Sequence, residues 1–182
     1  LNMPPALTNV KNILKLFDFG GSTMKERILS YLEKNARFPH EDIATMLGIS
    51  VEEVQRIISE CEADGTIRSY NTNIDWGKAG KSSVTALIEL KTIPQRDKGF
   101  DSVAERICHF PEVKSVALMS GGFDLAITVE CSNMRDVAFF VAEKLATIEG
   151  VTATATHFEL QKYKENGVVY GTESIDKRGN SW

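Results

Sequence analysis

The order of helical and strand patterns along the chain divides it into two unlike halves. Residues 24–75 read as three amphipathic helices and a short hairpin, whose first strand begins within residues 64–70. Residues 84–160 read as strand, helix, strand, strand, helix, strand. The first order is that of a winged helix-turn-helix. The second is that of a ferredoxin-like βαββαβ sandwich, with both helices on one face of an antiparallel sheet. The sequence therefore predicts an α+β chain with these two parts in this order.

Changes in composition mark the predicted domain boundaries. Gly20-Gly21 interrupts a short apolar repeat, so the segment before the first helix is predicted to be either an appended extension or an extra helix. A polar, glycine-bearing stretch separates the two halves. The predicted organisation is an extension over 1–23, a winged helix-turn-helix over 24–75, a linker over 76–83, a ferredoxin-like domain over 84–160 and a C-terminal tail over 161–182.

The chain lacks the sequence signals of membrane insertion and secretion. No apolar run approaches the roughly 20 residues that cross a bilayer, and no charged segment precedes an apolar core at the N-terminus. The three cysteines have no metal-type spacing, and Cys61 and Cys108 fall on apolar faces of predicted helices. We therefore expect buried thiols, a cytoplasmic protein, and no metal or cofactor.

Helix-start and turn signals define the first half. Thr23 with Glu26, and Ser50 with Glu53, have the spacing of capping boxes, in which a hydroxyl and a carboxylate satisfy the first amides of a helix. Residues 43–54 have the helix-turn-helix pattern, with a small residue where helices cross, a glycine at the turn, and apolar residues that close the angle. These residues are Ile43, Ala44, Leu47, Gly48, Ile49, Ser50 and Val54.

The exposed side of the third predicted helix is the surface that would contact DNA. Gln55 and Arg56 are good donors to base edges, whereas Glu52 and Glu53 would repel phosphate. Residues 24–80 hold seven Lys/Arg and ten Asp/Glu, and this acidic balance leaves open a helix-turn-helix that does not bind DNA tightly. The predicted DNA-binding residues are Ser50, Gln55, Arg56, Ser59, Arg68 and Lys78.

Alternation in the predicted strands separates a helix-covered side of the sheet from an open side. In the third strand, Phe123, Leu125, Ile127 and Val129 are predicted to face the helices, and Asp124, Ala126 and Thr128 the open side. In the fourth strand, the residues that share one side, which we also expect to be open, are Thr152, Thr154, Thr156, Phe158 and Leu160. The second helix is predicted to turn inward Met134, Val137, Ala138, Val141, Leu145 and Ile148. An open face that is part apolar and part small and polar favours a symmetric dimer of sheets.

Residues 24–160 resemble the Lrp/AsnC (leucine-responsive and asparagine-responsive, "feast/famine") transcriptional regulators. The residues that carry the resemblance are the helix-turn-helix pattern above, Asp64-Gly65-x-Ile67-x-x-Tyr70, Phe110-Pro111-Glu112-Val113 and Ser120-Gly121-Gly122-Phe123-Asp124-Leu125. The resemblance implies a regulator that binds double-stranded DNA and does not associate with membranes. It also implies a homodimer, often assembled to octamers or discs, with an amino acid or similar small effector bound where the C-terminal domains meet.

The chemistry of the 120–124 hairpin is compatible with such an effector. The amides of Gly121 and Gly122 can receive a carboxylate, and Asp124 can accept an ammonium group. A tight turn alone would also explain the glycines, and a turn-stabilising carboxylate would explain Asp124. Since Asp124 and the threonines lie on non-adjacent predicted strands, we expect a partner subunit to supply the threonines. The predicted effector-binding residues are Met119, Ser120, Gly121, Gly122, Phe123, Asp124, Thr154 and Thr156.

Two other functions compete with regulation by DNA binding. Some proteins that resemble this architecture decarboxylate a tetrapyrrole, but His40, His109 and His157 fall in different predicted elements and no catalytic cluster is recognisable. We therefore expect no enzymatic activity. The second competitor is a metabolite-binding module whose helix-turn-helix has lost tight DNA binding.

Overall fold

A computed structural model of the chain describes residues 22–94 and 99–170. The chain divides into two compact units, one ending at Thr72 and the other beginning at Asn73. All but the last two residues of the predicted extension over 1–23 lie outside the described residues.

The described residues of the first unit contain three helices: α1 (Met24–Lys34), α2 (His40–Leu47) and α3 (Val51–Ala63). Their apolar faces meet in one core, in which Ile28, Ile43 and Val54 are fully buried. Gly48 ends α2 with a φ of 68°, a left-handed conformation that glycine adopts without steric cost. The turn at Gly48 therefore sets α3 across α2, as the helix-turn-helix pattern predicts.

The two predicted capping boxes differ in the structure. Thr23 and Glu26 form the complete reciprocal box at the start of α1. At the start of α3, the Ser50 hydroxyl accepts the amide of Glu53 at 3.2 Å, but the Glu53 carboxylate binds an arginine and not the Ser50 amide. The second capping box is therefore only half formed.

The predicted hairpin of the wing is absent, because residues 64–83 contain no strand. Gly65 reverses the chain after α3 with a φ of 74°, and the amide of Ile67 donates to the carbonyl of Cys61 at 2.9 Å. Residues 68–82 are exposed, and the large apolar side chains among them, Tyr70, Ile74 and Trp76, are 44–48% exposed, so nothing in the described residues packs on this segment to hold it as a strand. The prediction of a wing strand is thus wrong for this structure.

The second unit has the predicted βαββαβ order. Its elements are β1 (Val84–Thr92), α4 (Asp101–Cys108), β2 (Val113–Leu118), β3 (Leu125–Cys131), α5 (Met134–Phe139, continued by a π-helical stretch over Phe140–Leu145) and β4 (Val151–Phe158). The antiparallel sheet has the order β2-β3-β1-β4. Within the predicted tail, β5 (Lys164–Glu165) and β6 (Val168–Val169) pair as a small hairpin.

One face of this sheet packs on the helices. Alternate residues of the two central strands are buried there, together with side chains of α4 and α5; they include Ala86, Ile88, Leu90, Leu125, Ile127, Val129, Val103, Ile107 and Val137. The intervening residues of β1 and β3 face away from the helices, as predicted. Phe123 lies in the loop before β3 and is half-buried, outside the core cluster.

The second helix buries partly different residues from those predicted. Phe140 is buried and meets Phe110 edge to face, with 5.5 Å between ring centroids. Ala138 is exposed and Met134 is 55% exposed, although the helical period predicts that both point inward. Both residues lie in the α-helical part, Met134–Phe139, before the π-helical stretch, so their exposure shows which side of this part faces solvent and is not caused by the π-turn.

The register of β4 reverses the predicted faces of that strand. Thr154 pairs with Leu90 and Thr156 with Ile88, and directly paired residues share a side of the sheet. Both threonines therefore lie on the helix side, and the open side of β4 carries Ala153, Ala155 and His157. The prediction is wrong because Thr and Ala alternate over residues 152–156 and both are small, so the sequence does not show which set faces the helices.

The cysteines also differ from prediction. Cys61 is buried in the core of the first unit, whereas Cys131 is half-buried and Cys108 is exposed. Cys108 is the last residue of α4, where the helix has passed the edge of the packed core. Within the described ranges, no helix is long and apolar enough to cross a membrane.

Candidate DNA-reading helix and effector loop

The predicted DNA-contacting residues of α3 share its exposed side. Gln55, Arg56 and Ser59 are all exposed, on the side opposite the buried residues Ile57 and Ile58. Ser50 is also exposed, but its hydroxyl already accepts a backbone amide as the N-cap. Packing in the helix-turn-helix core therefore fixes the orientation of α3, and a row of polar side chains on its other side is exposed to solvent.

Arg56 is held by two carboxylates of its own helix. Its Nε and Nη2 donate to the two oxygens of Glu53 at 2.9 and 2.7 Å, and its Nη1 donates to Glu60. The hydrogen bonds from Arg56 lower the pKa of the Glu53 carboxyl, and the same bonds raise the pKa of Arg56. The sequence-based prediction missed this arrangement, although the spacings of three and four residues are those at which helical side chains meet.

The other predicted DNA-contacting cations lie outside α3. Arg68 is exposed on the extended segment that follows the helix. Lys78 belongs to the second unit, where its amide donates to Asp75 Oδ1 at 3.0 Å. The structure therefore brings together the polar row of α3 within the first unit, whereas Lys78 belongs to the second unit.

A polar cluster braces the segment that leaves α3. Lys25 Nζ lies 3.0 Å from Asp64 Oδ2 and donates to Thr66 Oγ1 at 3.3 Å. The amide of Thr66 donates to Asp64 Oδ1 at 2.7 Å. Hydrogen bonds from Thr66, together with the Lys25 ammonium, lower the pKa of Asp64 to about 2. Local sequence patterns do not predict this contact, because Lys25 and Asp64 are 39 residues apart.

The predicted effector loop, residues 119–124, joins β2 to β3. The amide of Met119 donates to the carbonyl of Asp124 at 2.8 Å and closes the loop. Met119, Ser120, Gly121 and Gly122 are exposed, and a Cβ at either glycine would meet no heavy atom within 4 Å. The side-chain positions of both glycines therefore face open space.

Asp124, at the end of this loop, binds the last residues of β1. Its Oδ2 accepts the amide of Thr92 at 2.8 Å, and its own amide donates to the carbonyl of Leu90 at 2.9 Å. The hydroxyl of Thr92, which is buried, donates to the carbonyl of Gly150 at 2.9 Å. The carboxylate thus ties the start of β3 to the end of β1, which supports the turn-stabilising alternative for one of its two oxygens.

The threonines predicted to complete the effector site do not reach this loop. Strand β1 separates β3 from β4, and Thr154 and Thr156 project to the helix side of the sheet. Within one subunit the structure therefore brings together residues 119–124 and leaves the two threonines apart from them.

A polar cleft of about 430 Å³ lies at the opposite end of the sheet. Cys131 at this end pairs with Val84, six strand positions from the Leu90–Leu125 pair, so cleft and loop are about 20 Å apart. Lys81 and Lys114 bind Glu130 here at 3.2 and 3.4 Å. Burial disfavours the charged carboxylate, yet the two lysines hold the pKa of Glu130 below its ordinary value. The motifs of the sequence do not predict this cleft.

Residues 22–94 and 99–170 contain no candidate metal centre. No three or more His, Cys, Asp or Glu side chains come together there in a group that could hold a metal ion. His109 Nδ1 lies 2.7 Å from the carbonyl of Glu105, and His157 lies 3.4 Å from Glu89.

Comparison with known families defines the class of protein. Residues 22–68 match the family described as winged helix-turn-helix DNA-binding, and residues 85–169 match the Lrp/AsnC ligand binding domain. A DNA-binding unit joined to a ligand-binding unit is a transcriptional regulator with a small-molecule sensor.

Similarity to whole proteins shows the family. The chain is 49% identical over 158 residues to the uncharacterized HTH-type transcriptional regulator YugG of Bacillus subtilis, covering 86% of this chain and 95% of that protein. It is 31% identical over 137 residues to the HTH-type transcriptional regulator LrpA of Pyrococcus horikoshii, covering 75% and 94%. The chain belongs to the Lrp/AsnC family of transcriptional regulators.

Solved structures share the fold. A transcriptional regulator of Neisseria meningitidis in complex with L-Met has a TM-score of 0.65 at 21% identity, with 79% of this chain and 92% of that chain covered. Escherichia coli AsnC has a TM-score of 0.61 at 20% identity, with 78% and 93% covered.

We predict that the Asp64 brace makes the first unit sensitive to acid. Because the folded-state pKa of Asp64 is about 2, below its ordinary value of 3.8, the stabilisation is present above about pH 4 and is lost as the pH falls towards 2. Asp64→Asn should therefore flatten the loss of stability over this range, measured by urea unfolding at several pH values.

Asp42→Asn is the matched control, since it removes the same charge from α2 without touching Lys25 or Thr66. Equal acid dependence in the two variants would contradict a stabilising role for the brace.

Proposed function

We propose that α3 reads DNA in the major groove, with Gln55, Arg56 and Ser59 towards the base edges. Ser50, Arg68 and Lys78 would then contact the sugar-phosphate backbone, which fixes register without reading sequence. The observation that carries the proposal is the exposed polar row on a helix whose opposite side is locked into the helix-turn-helix core.

A helix-turn-helix that binds DNA weakly is the second candidate, and the ion pairs of Arg56 favour it. The only cation of α3 is already neutralised by Glu53 and Glu60. Exposed ion pairs of this kind are weak, however, and both partners are largely accessible to water. DNA phosphates and base acceptors can therefore compete with them, so we favour DNA binding.

We further propose that the second unit binds a free amino acid at loop 119–124. The amides of Gly121 and Gly122 would hold its carboxylate, and the oxygen of Asp124 that does not bind Thr92 would hold its ammonium group. The Neisseria meningitidis regulator, which shares the fold, forms a complex with L-Met, and this supports an amino acid as the class of ligand. Residues Met119, Ser120 and Phe123 would line the site.

In this proposal, the Thr154 and Thr156 that contact the effector belong to another subunit. They lie half-buried on β4, whereas loop 119–124 joins β3 to β2 at the opposite edge of the sheet, so only a neighbouring chain whose β4 packs against this loop would bring its threonines to it. Their position on the helix side excludes a contribution through the open face.

The open face of the sheet is proposed as the surface that joins two copies. At its centre Leu87, which is 39% exposed, pairs with Thr128 and His157; Glu89, Ala117, Ala126 and Ala155 form the next row, and Lys91 and Ala153 lie beyond it. Small side chains allow two sheets to approach to the usual spacing of about 10 Å. Larger assemblies would build on this dimer. Because such a regulator acts on chromosomal DNA, we propose a cytoplasmic location.

We predict that Arg56→Ala weakens specific DNA binding about 5- to 150-fold and relaxes preference at one base position, if the guanidinium reads a guanine. Gel-shift titration against a duplex selected from a random pool by the wild-type chain measures both effects. Arg106→Ala, a charge-matched change in α4, is the control and should leave binding unchanged. Equal binding by both variants would mean that α3 does not read the groove.

We predict that Asp124→Asn abolishes thermal stabilisation by the amino acid that stabilises the wild-type chain most. The asparagine oxygen can still accept the Thr92 amide, so the fold is retained while the charge that holds the ammonium group is lost. The ligand is found by denaturation screening with the twenty amino acids.

Amide chemical shifts during the same titration locate the site. Shifts at Gly121 and Gly122 support the loop, whereas shifts confined to Ser132 and Cys131 would place the effector in the polar cleft. Full stabilisation of Asp124→Asn would likewise contradict the loop as the binding site.

A further inference from the structure

A histidine and a carboxylate meet on the open face of the sheet. Nε2 of His157, in β4, lies 3.4 Å from Oε1 of Glu89, in β1. Their side chains are 56% and 34% exposed, so in a single copy of the chain water reaches both groups. A histidine in water changes charge between pH 5 and 8, whereas a carboxylate stays ionised there. The pair therefore holds one proton at the acidic end of this range and none at the basic end.

Burial of this pair favours the state that holds the proton. The pair is negatively charged without the proton and neutral with it. An uncompensated charge loses more on removal from water than a neutral pair does, whichever of the two groups carries the proton. A second sheet packed on the open face would exclude water from the pair, so packing of this kind takes up protons.

The other charged groups of the open face keep their charges in this pH range. They are Lys91 in β1, Glu130 in β3 and Glu159 just after β4, and lysine and carboxylate groups in water do not titrate between pH 6 and 8. Glu130 is held by the two lysines of the polar cleft, and Lys162 lies 3.9 Å from Glu159. Lys91 lies in the next row beyond the pair, near the end of β1, where its long side chain can keep the ammonium group in water. Within the described residues, proton uptake at this face is therefore confined to the histidine–carboxylate pair.

We propose that the Glu89–His157 pair makes association through the open face pH-dependent, so that the dimer tightens as the pH falls from 8 to 6. The inference rests on the proposed packing of two copies through this face. Its sign follows from linkage: since the dimer binds more protons than two separate copies, a lower pH favours the dimer. Each full proton taken up tightens the dissociation constant about tenfold per pH unit.

The dissociation constant of the intact chain at pH 6 and at pH 8 tests this inference. Sedimentation velocity over a dilution series measures it. Wild type should associate at least about tenfold more tightly at pH 6. His157→Gln should associate equally at both pH values, because the group that binds the proton is absent. His109→Gln, which removes a histidine at the C-terminal end of α4, is the matched control and should keep the wild-type dependence.

Glu89→Gln separates proton sharing from a purely steric role, because it should reverse the sign. Without the carboxylate, a protonated His157 would be a buried charge with no partner, so this variant should associate more weakly at pH 6 than at pH 8. Both substitutions lie on the open side of the sheet and leave the core between the sheet and the helices untouched.

The strength of the dimer decides in which background the constants are measured. If wild type stays dimeric at the lowest concentration, the same series is run on Leu87→Ala, which weakens the apolar contact at the centre of the face. Equal constants at the two pH values, a dependence that survives His157→Gln, or an unchanged sign in Glu89→Gln would overturn this inference while leaving the dimer in place. A wild-type chain that is monomeric at both pH values would overturn the proposed assembly as well.

Discussion

Among its described residues, the second unit has a four-stranded sheet and two helices to cover it, and this mismatch leaves one face of the sheet open. The helices bury one face, where residues such as Ile88 and Ile127 are fully excluded from water. The other face keeps Leu87 and several alanines in contact with solvent, with Glu89 and His157 3.4 Å apart beside them. Removing this apolar area from water would stabilise association, and for this reason we propose a second copy of the same face as the partner.

The uncovered face also connects the two proposed activities. Pairing two sheets would bring two DNA-reading units into one particle, and two half-sites multiply the affinity of one. The effector loop lies at one end of the same sheet, where Asp124 and Thr92 join β3 to β1. A ligand that binds at this loop would therefore change the positions of the ends of β1 and β3. Such a change would alter how two copies of the sheet pack together.

Features with a strong period were predictable from the sequence. The buried positions of α3, which include Val54, Ile57 and Cys61, repeat every three to four residues, and the alternation in β1 is equally clear. The family resemblance, the βαββαβ order and the loop at residues 119–124 were also evident in the sequence alone. These features are local, so neighbouring residues specify them.

Features that depend on contacts distant in sequence were not predictable. The face of β4 depends on its register against β1, and its alternating Thr and Ala do not encode that register. The second helix buries Phe140 and leaves Ala138 exposed, and the wing segment has no partner strand among the described residues. In the candidate site, the bond from Thr92 to Asp124 joins residues 32 apart and changes what the carboxylate can do.

The most direct test of the account is the mass of the Leu87→Arg variant in solution, measured by light scattering. A charged side chain at the centre of the open face cannot be buried between two sheets without a large desolvation cost. Wild type should therefore have at least twice the mass of one chain, and Leu87→Arg the mass of a single folded chain, with weaker DNA binding. Met134→Arg, on the outer side of α5, should keep the wild-type mass. A Leu87→Arg variant with unchanged mass would contradict assembly through the open face.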